Sequence, residues 1–249
     1  MKIIKLDAIN STNEYLKEYI QVNSIKNNHI VYTFNQTKGK GQRGKVWISE
    51  SGKNLAVSIG FFPKRIKIKE QFILNMFFSL FIINTLKSLK IPNLKIKWPN
   101  DILSGNKKIC GILNEIKVKG EFIDNIIVGF GINVNQQNFD NLPNASSLTL
   151  VKKINYDLDN LVNLFIQNLK NNIYFVNSFN SLSKSYIDNL IDNYHKNLYG
   201  INQLKSYVDS NGSSFNGMIV SVDKSGIINI KKEDGSLNAY NFQEIQTII

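Results

Sequence analysis

A stretch rich in glycine and cations, residues 36–47, carries the side chains best suited to binding an anion. Its sequence is Gln-Thr-Lys-Gly-Lys-Gly-Gln-Arg-Gly-Lys-Val-Trp. Glycine permits positive φ and a close approach of the backbone, so successive N–H groups can point at one anion, and lysine and arginine add positive charge. The stretch predicts a cradle for a phosphate or a carboxylate group. The alternative is an exposed glycine-rich hairpin whose charges are simply solvated.

Two common phosphate-binding motifs match this stretch in spacing and fail in context. The dinucleotide fingerprint, matched by Gly39, Gly41 and Gly44, requires a helix directly after the glycines. Residues 45–62 instead alternate apolar and polar side chains around a turn, a pattern typical of strands. The P-loop requires a magnesium-binding serine or threonine where this chain has Val46. The prediction is a strand–loop–strand cradle that belongs to neither family.

A second group of side chains that could do chemistry surrounds two lysines, Lys97 and Lys108. The run Lys-Trp-Pro-Asn-Asp at residues 97–101 ends one predicted strand, and Lys108 begins another. Both lysines therefore stand at strand ends beside turns, where they can point into a cleft. The alternative for each is an ordinary solvated lysine, the usual state of this residue type.

The third polar group, Ser11-Thr12-Asn13, stands at the start of a predicted helix. Ser11 and Glu14 have the spacing of a capping box, in which the serine and glutamate side chains bond to each other's backbone N–H groups. Helix capping alone explains these residues. A helix N-terminus is nevertheless also a good site for a polar ligand.

These groups must be held by a scaffold whose elements follow from hydrophobic periodicity. Strands are predicted at residues 2–6, 29–36, 54–62, 94–98, 107–116 and 122–134. Helices are predicted from Ser11 to about residue 28 and at residues 70–90, 158–175 and 182–194. Residues 95–133 are expected to form an antiparallel meander. After Gly200, short strands separated by glycine-containing turns predict a small barrel-like module.

Composition places the chain among globular proteins. Its 249 residues suffice for one good-sized domain, or one with a small appendage, and 43% are apolar. The single cysteine, Cys110, excludes an internal disulfide framework, and no N-terminal secretion signal is present. The most apolar segment, residues 72–86, is too short for a typical membrane span. We therefore expect a cytoplasmic protein without a membrane partner. The net charge of +11 is spread along the chain and is weak evidence for an anionic partner.

Taken in chain order, the motifs resemble those of the biotin–protein ligases. The motifs are Ser11-Thr12-Asn13, the glycine loop 39–44 with Trp47, Lys97-Trp98-Pro99-Asn100-Asp101, Lys108-x-x-Gly111-Ile112-Leu113-x-Glu115 and Gly129-x-Gly131-Ile132-Asn133. The resemblance covers essentially the whole chain. It implies an α+β fold with a mixed sheet backed by helices, related to class II aminoacyl-tRNA synthetases, and a small SH3-like β-barrel C-terminal domain. The implied division is a catalytic domain at residues 1–197 and the SH3-like domain at residues 198–249.

The resemblance implies a two-step reaction with biotin, ATP and Mg²⁺. Such enzymes join the carboxylate of biotin to the α-phosphate of ATP, forming biotinyl-5′-AMP, and then transfer biotin to one lysine of a biotin carboxyl carrier protein. That protein is a subunit of acetyl-CoA carboxylase or part of another biotin-dependent carboxylase. The first step brings two anions together, so a catalyst must neutralise their repulsion. Cations and backbone N–H groups can do this, and Mg²⁺ would add to them.

The resemblance also assigns residues to roles. The implied catalytic residues are Lys108, Lys97 and Lys40. The residues implied to bind biotin are Ser11, Thr12, Asn13, Gln36, Gly39, Lys40, Gly41, Gln42, Lys108, Gly129 and Ile132. The residues implied to bind ATP or the adenylate are Lys40, Gln42, Arg43, Lys45, Lys97, Asn100 and Asn133. No metal ligand is assigned, although Asn100 is placed near a phosphate or a metal.

Other residues in these motifs are expected to serve the structure. We expect Trp47 and Trp98 to pack in the core and not to stack on a ligand. Cys110 should be a small buried residue, because the adenylate route needs no nucleophile from the protein. Glu115 is expected either to support another site residue or to lie on the polar face of its strand.

Two departures from the family pattern bear on the adenylate. Lys40 and Gln42 stand where many members have arginine; lysine keeps the charge without the bidentate fork, and glutamine keeps only hydrogen bonding. We therefore expect weaker retention of the adenylate unless Arg43 or Lys45 compensates. The last four residues, 246–249, also lack an arginine that some members direct at the nucleotide. The role of the terminal module in ATP binding is therefore open.

Other functions remain open on the sequence. A lipoate–protein ligase or an octanoyltransferase, which share the catalytic fold, is the nearest alternative, and the Lys-Trp-Pro-Asn-Asp run and the Lys40 loop favour biotin over it. A non-catalytic nucleic-acid-binding protein is a more distant alternative, suggested by the net charge and the terminal barrel. Ten residues precede Ser11, too few for the DNA-binding domain of bifunctional members, so we expect a monofunctional ligase that does not bind DNA. A homodimer is compatible with the sequence.

Overall fold

The computed structural model describes residues 1–63, 66–140, 142–172 and 182–248, except the side chain of Arg43. Its main sheet has seven strands. These are β1 (Lys2–Leu6), β2 (His29–Thr33), β5 (Asn54–Phe61), β6 (Leu94–Lys97), β7 (Asp101–Ser104), β8 (Lys107–Lys119) and β9 (Phe122–Asn133). Their order is β1-β2-β5-β9-β8-β7-β6. Strands β1 and β2 pair in parallel and the other neighbours pair antiparallel, so the sheet is mixed.

The four strands β6 to β9 form the predicted antiparallel meander. Its turns contain Gly105 and Gly120, whose φ values of +60° and +62° lie in the left-handed region that glycine adopts without strain. A separate two-stranded hairpin, β3 (Gly39–Lys40) with β4 (Val46–Trp47), carries the glycine-rich loop. This confirms the prediction that the loop joins two strands and does not open a helix.

Helices cover both faces of the main sheet. They are α1 (Thr12–Val22), α2 (Gln71–Ser88), α3 (Leu148–Lys152), α4 (Leu158–Asn172) and α5 (Lys184–Asn197). Helix α2 is buried on nearly every side, because it lies between the sheet, α4 and α5. Helix α1 lies on the opposite face, where Leu16 and Ile20 pack on Val31. The neighbouring Ile30 belongs to the larger core under α2, since successive side chains of a strand point to opposite faces.

Several element ends differ from the predictions. Helix α1 ends at Val22, not near residue 28, because Ser24 adopts a left-handed conformation with φ of +48°. Strand β2 ends at Thr33, before the predicted end at residue 36. Helix α5 begins after Ser183, whose hydroxyl caps it. The predicted end of α4 at residue 175 lies outside the described residues.

A second, five-stranded antiparallel sheet follows the helices. Its strands are β10 (Leu204–Asp209), β11 (Ser214–Val222), β12 (Ile228–Lys232), β13 (Leu237–Tyr240) and β14 (Ile245–Thr247). The chain is therefore α+β with a small β module after the helices, as predicted. None of the helices in the described ranges is long and apolar enough to cross a membrane.

The two sheets meet at Trp98. Its indole Nε1 donates a hydrogen bond of 3.0 Å to the carbonyl of Gly226, and its ring packs edge-on against Phe242. Trp98 is buried, which confirms the prediction that it packs in the core. The run of residues 97–101 is therefore fixed against the second sheet.

Candidate active site

One cleft of about 490 Å³ lies between the start of α1, the glycine-rich hairpin, the turn between β6 and β7, strands β8 and β9, and the second sheet. The sequence-predicted site residues that line it are Ser11, Thr12, Asn13, Gln36, Lys40, Gly41, Gln42, Lys45, Lys97, Asn100, Lys108 and Gly129. Residues more than a hundred positions apart in the chain thus share one space.

Three predicted site residues do not line this cleft. Gly39 is buried where a Cβ atom would lie 2.7 Å from Gln36 Nε2. Ile132 belongs to the hydrophobic core. Asn133 is buried and donates a hydrogen bond of 3.0 Å to the carbonyl of Ser146. The side chain of Arg43 lies outside the described part of the structure.

One end of the cleft is a network of uncharged polar groups. The backbone N–H of Thr12 donates to Gln36 Oε1 at 2.9 Å, and the Thr12 hydroxyl lies 3.2 Å from the same oxygen. Ser58 Oγ lies 2.7 Å from Thr12 Oγ1 and 2.5 Å from Asn13 Oδ1. A hydroxyl has a single hydrogen, so Ser58 can donate to only one of them at a time. This end offers a ligand both donors and acceptors.

Asn13 is held in this network by two different contacts. Its Nδ2 donates to Glu115 Oε2 at 2.8 Å, so Glu115 supports a site residue, one of its two predicted roles. On its other side lies Gly129, where an added Cβ atom would overlap the Asn13 amide and lie 2.8 Å from its Cγ. Glycine at position 129 is therefore what allows α1 to approach β9 so closely.

The other end of the cleft is a group of lysines with one carboxylate. Lys108 Nζ lies 2.7 Å from Asp101 Oδ1. Lys97 is half-buried, and burial lowers the pKa of its ammonium group; the Asp101 charge acts against this, and the charges of Lys108 and Lys45 lower the pKa further. The three positive charges of Lys97, Lys108 and Lys45 outnumber the single negative charge of Asp101. This end of the cleft is therefore suited to a polyanion.

A β-bulge explains how Lys108 reaches this group. Leu103 pairs with Lys108 and Ile102 pairs with Cys110, which leaves Ile109 as an extra residue. In a regular strand Lys108 and Gly111 would point to opposite faces. Here the Lys108 Cε and Nζ atoms lie 3.3 Å from where a Cβ of Gly111 would be, so both residues face the cleft.

Asn100 fixes the turn that carries Lys97 and Asp101. Its Nδ2 donates to the carbonyl of Ile112 at 2.7 Å, and the N–H of Ile112 donates to the carbonyl of Asn100 at 2.9 Å. The side-chain nitrogen is therefore used in joining this turn to β8. If Asn100 contacts a phosphate-bound metal ion as the sequence predicts, it must do so through its side-chain oxygen, Oδ1.

Trp47 lies in the cleft itself and not in the core, contrary to the prediction. Its indole covers two glycines that pair across β8 and β9, Gly111 and Gly131. A Cβ atom at Gly131 would lie 2.6 to 2.9 Å from the indole, so only glycine leaves room for this ring. Lys108 Nζ lies 5.4 Å from the ring centroid, within the range of a cation–π contact.

A family model for the biotin/lipoate A/B protein ligase family matches residues 6–133, which is more than half of the chain. The chain belongs to this family. The match includes every cleft residue predicted from the sequence.

Individual relatives agree with this assignment. The bifunctional ligase/repressor BirA of Bacillus spizizenii is 32% identical over 138 residues, covering 55% of this chain and 42% of that protein. The biotin--[acetyl-CoA-carboxylase] ligase of Mycobacterium tuberculosis is 26% identical over 122 residues, covering 48% of this chain and 44% of that protein. The matched part thus spans less than half of each relative. Among solved structures, the biotin protein ligase of Aquifex aeolicus in complex with biotin and ATP shares the fold, with a TM-score of 0.78, 23% identity, and coverage of 99% and 98% of the two chains.

In this family member the second sheet also lines the cleft. The residues concerned are Val208, Asp209, Phe242, Gln243, Ile245, Gln246 and Thr247. They lie after residue 133 and outside the part matched by the family model. Glycine-rich turns predicted the module, but no sequence signal pointed these side chains at the site. Ser58 was also missed; the available signal was a lone hydroxyl within the apolar run that follows Asn54 in β5.

Cys110 and the acidic residues limit the chemistry of this site. Cys110 is fully buried, and burial raises the pKa of its thiol well above the ordinary value, which disfavours the reactive thiolate. This confirms the prediction that Cys110 is a small buried residue. Across the described ranges no group of three or more His, Cys, Asp or Glu residues is arranged to hold a metal ion.

Proposed function

We propose that the protein is a biotin–protein ligase that activates biotin with ATP and transfers it to a lysine of a biotin carboxyl carrier protein. The observation that carries this proposal is a single cleft with a hydrogen-bonding end and a lysine-rich end. A substrate with a polar ring system at one end and a carboxylate at the other fits that polarity.

The hydrogen-bonding end favours biotin over the substrates of related enzymes. The ureido ring of biotin presents two N–H donors and one carbonyl acceptor, and Thr12, Asn13, Gln36 and Ser58 offer partners for both kinds. The dithiolane ring of lipoate and the octanoyl chain have no such groups. An apolar group placed at this end would gain no hydrogen bond from the polar side chains that line it. A lipoate–protein ligase or octanoyltransferase is the alternative.

The lysine-rich end supports the first step. A carboxylate oxygen of biotin attacks the α-phosphorus of ATP, and the bond to the leaving pyrophosphate breaks. Lys108 and Lys97 neutralise negative charge that would otherwise repel the two reactants, and Lys40, on the hairpin that borders the cleft, adds a further positive charge. Mg²⁺ bound with the phosphates would neutralise further charge; the side-chain oxygens of Asp101 and Asn100 suit it, because Mg²⁺ needs few protein ligands when phosphates supply the rest.

The second step transfers the acyl group. The amine of a carrier lysine attacks the carbonyl carbon of the mixed anhydride, the bond to the phosphate oxygen breaks, and AMP leaves.

The carrier of a biotin-dependent carboxylase is the proposed partner, and the cytoplasm is the proposed location. We also propose the division into a catalytic domain, residues 1–197, and an SH3-like domain, residues 198–249. The proposal is supported by the second sheet beginning at Leu204.

The test is chemical. The protein is incubated with MgATP and either radiolabelled biotin or lipoate, and the adenylate is separated; the mass of a biotin carrier domain is then measured after incubation with ATP and biotin. We expect an adenylate and a mass increase with biotin. Lys108→Ala should lower adenylate formation by about two or more orders of magnitude, whereas Lys117→Ala, on the same strand outside the cleft, should not. An adenylate with lipoate and none with biotin contradicts the proposal.

Binding to heparin tests the alternative function. If the protein is retained on heparin, is released at moderate salt and shows no ATP-dependent chemistry, nucleic-acid binding is favoured instead.

A further inference from the structure

The carboxylate of Glu14 has a partner outside its own helix. Glu14 stands in the first turn of α1, and its backbone N–H donates to Ser11 Oγ at 3.4 Å. In a complete capping box the glutamate side chain returns to the N–H of the capping residue. Here the carboxylate instead pairs with Lys40 Nζ on the hairpin. Only half of the capping box is formed, and the side chain of Glu14 serves another contact.

The hairpin depends on few contacts with the rest of the molecule. The N–H of Gly41 donates to the carbonyl of Lys45 at 2.7 Å, and that of Lys45 donates to Gln42, so these bonds are internal to the hairpin. In the described part of the structure, two side chains of the hairpin contact the body, and just before the hairpin the N–H groups of Thr37 and Lys38 donate to the carbonyls of Ile9 and Asn10. The Trp47 indole rests on Gly131, and Lys40 pairs with Glu14.

Charge explains why the second contact needs a carboxylate. Lys40 is held near the N-terminal turn of α1, where the helix dipole is positive and repels a cation. The hydrogen bond to Glu14 raises the pKa of Lys40, with smaller contributions from the charges of Glu14 and Glu115. Without the Glu14 carboxylate, the helix dipole would repel the Lys40 ammonium group from this position. The hairpin would then lose its contact with α1.

We propose that Glu14 is a positioning residue, which holds the hairpin over the cleft through Lys40 and thereby slows departure of the acyl-adenylate. The part about the adenylate rests on the proposed function; the part about the hairpin does not. The Glu14 and Lys40 side chains are 42% and 56% exposed, and ion pairs of this kind are weak. The expected effect on the open fraction of the hairpin is therefore about two- to fivefold, and smaller at high salt.

The first experiment needs no ligand. Hydrogen–deuterium exchange is measured on residues 39–47 of the full chain for wild type, Glu14→Gln and Glu18→Gln. Glu18 is an exposed carboxylate one turn further along α1 and serves as the matched control. We expect exchange in the hairpin to be about two- to fivefold faster in Glu14→Gln only, with the difference shrinking as salt is added. Equal exchange in the two variants overturns the proposal.

The second experiment separates positioning from helix stability. Release of preformed biotinyl-5′-AMP is timed in a double-mutant cycle of Glu14→Gln and Lys40→Gln. We expect Glu14→Gln to speed release about two- to fivefold in the wild-type background and to add nothing when Lys40 is already changed. The same acceleration in both backgrounds, with a lowered melting temperature, would mean that Glu14 only stabilises α1 and overturns the proposal. If the wild type forms no adenylate, the proposed function is wrong. The exchange experiment would still decide whether Glu14 positions the hairpin.

Discussion

Lys108 Nζ lies 2.7 Å from Asp101 Oδ1, although the two residues stand on neighbouring strands and are separated by a β-bulge. The two side chains are 34% and 21% exposed, so water screens this pair less than it screens the Lys117–Asp124 pair of the same sheet. The carboxylate places an opposite charge beside the ammonium group before any substrate arrives. Asp101 is thus a candidate positioning residue for Lys108.

Asp101→Asn should lower the rate of adenylate formation by about 10- to 100-fold, because a displaced reacting group costs this much. The measurement is pyrophosphate release with biotin and MgATP. Asp124→Asn is the matched control, since Asp124 pairs with Lys117 at 4.0 Å on the exposed part of the same sheet. A wild-type rate in Asp101→Asn would show that Lys108 needs no such partner.

Gly129→Ala should weaken biotin binding by about 10- to 100-fold, because the new methyl group displaces Asn13 and leaves buried polar groups unpaired. The affinity is measured by calorimetry without ATP. Gly60→Ala is the control: it lies under the same helix, but its Cβ would meet only the flexible ends of Ile20 and Leu16. Equal affinities for the two variants would remove Asn13 from the biotin-binding end.

Gln42→Arg should slow release of the adenylate by about three- to tenfold, because a guanidinium group in the cleft adds charge and a bidentate donor. Release is timed after rapid removal of free ligand. Gln42→Lys adds the charge without the fork and should give a smaller effect. If neither variant changes the release rate, glutamine at position 42 does not weaken retention of the adenylate as expected.

Binding of ATP should take up a proton at alkaline pH. Burial holds the pKa of Lys97 below the ordinary lysine value, and a bound triphosphate stabilises the ammonium form and raises the pKa again. The complex therefore binds more protons than the free protein between the two values, and affinity falls as pH rises through that interval.

Calorimetry in two buffers of different ionisation enthalpy measures this uptake. Lys97→Gln should abolish it, whereas Lys95→Gln should not, because the Lys95 ammonium group lies on the carbonyl of Lys196, away from the cleft. A wild-type binding enthalpy that is the same in both buffers contradicts the assignment of Lys97 to the phosphates.

Local periodicity predicted the scaffold because the signals are local. The meander and the buried helix α2 followed from runs of apolar residues and from turn glycines. The end of α1 did not, since it depends on the left-handed conformation of Ser24, a residue type without a strong preference for it. Element ends are decided by single residues and by what packs beside them.

The sequence predicted which residues meet in the cleft better than it predicted how they are arranged there. Motif resemblance placed Lys97, Lys108 and Asn13 together, and the structure has them in one cleft. The bulge at Ile109 and the position of Trp47 on two glycines depend on pairing between distant strands. Such contacts leave no periodic trace, and so Trp47 was wrongly expected in the core.

The position of Trp47 also gives the protein a built-in optical probe. The chain has two tryptophans. Trp98 is 7% exposed and borders the cleft where the two sheets meet, while the Trp47 indole lies in the cleft beside the Lys108 ammonium group and over glycine backbone. A ligand that fills the cleft changes the surroundings of both fluorophores, and more so those of Trp47, because its indole is the less buried of the two. Occupancy of this site can therefore be followed by intrinsic fluorescence, with no label attached to either protein or ligand.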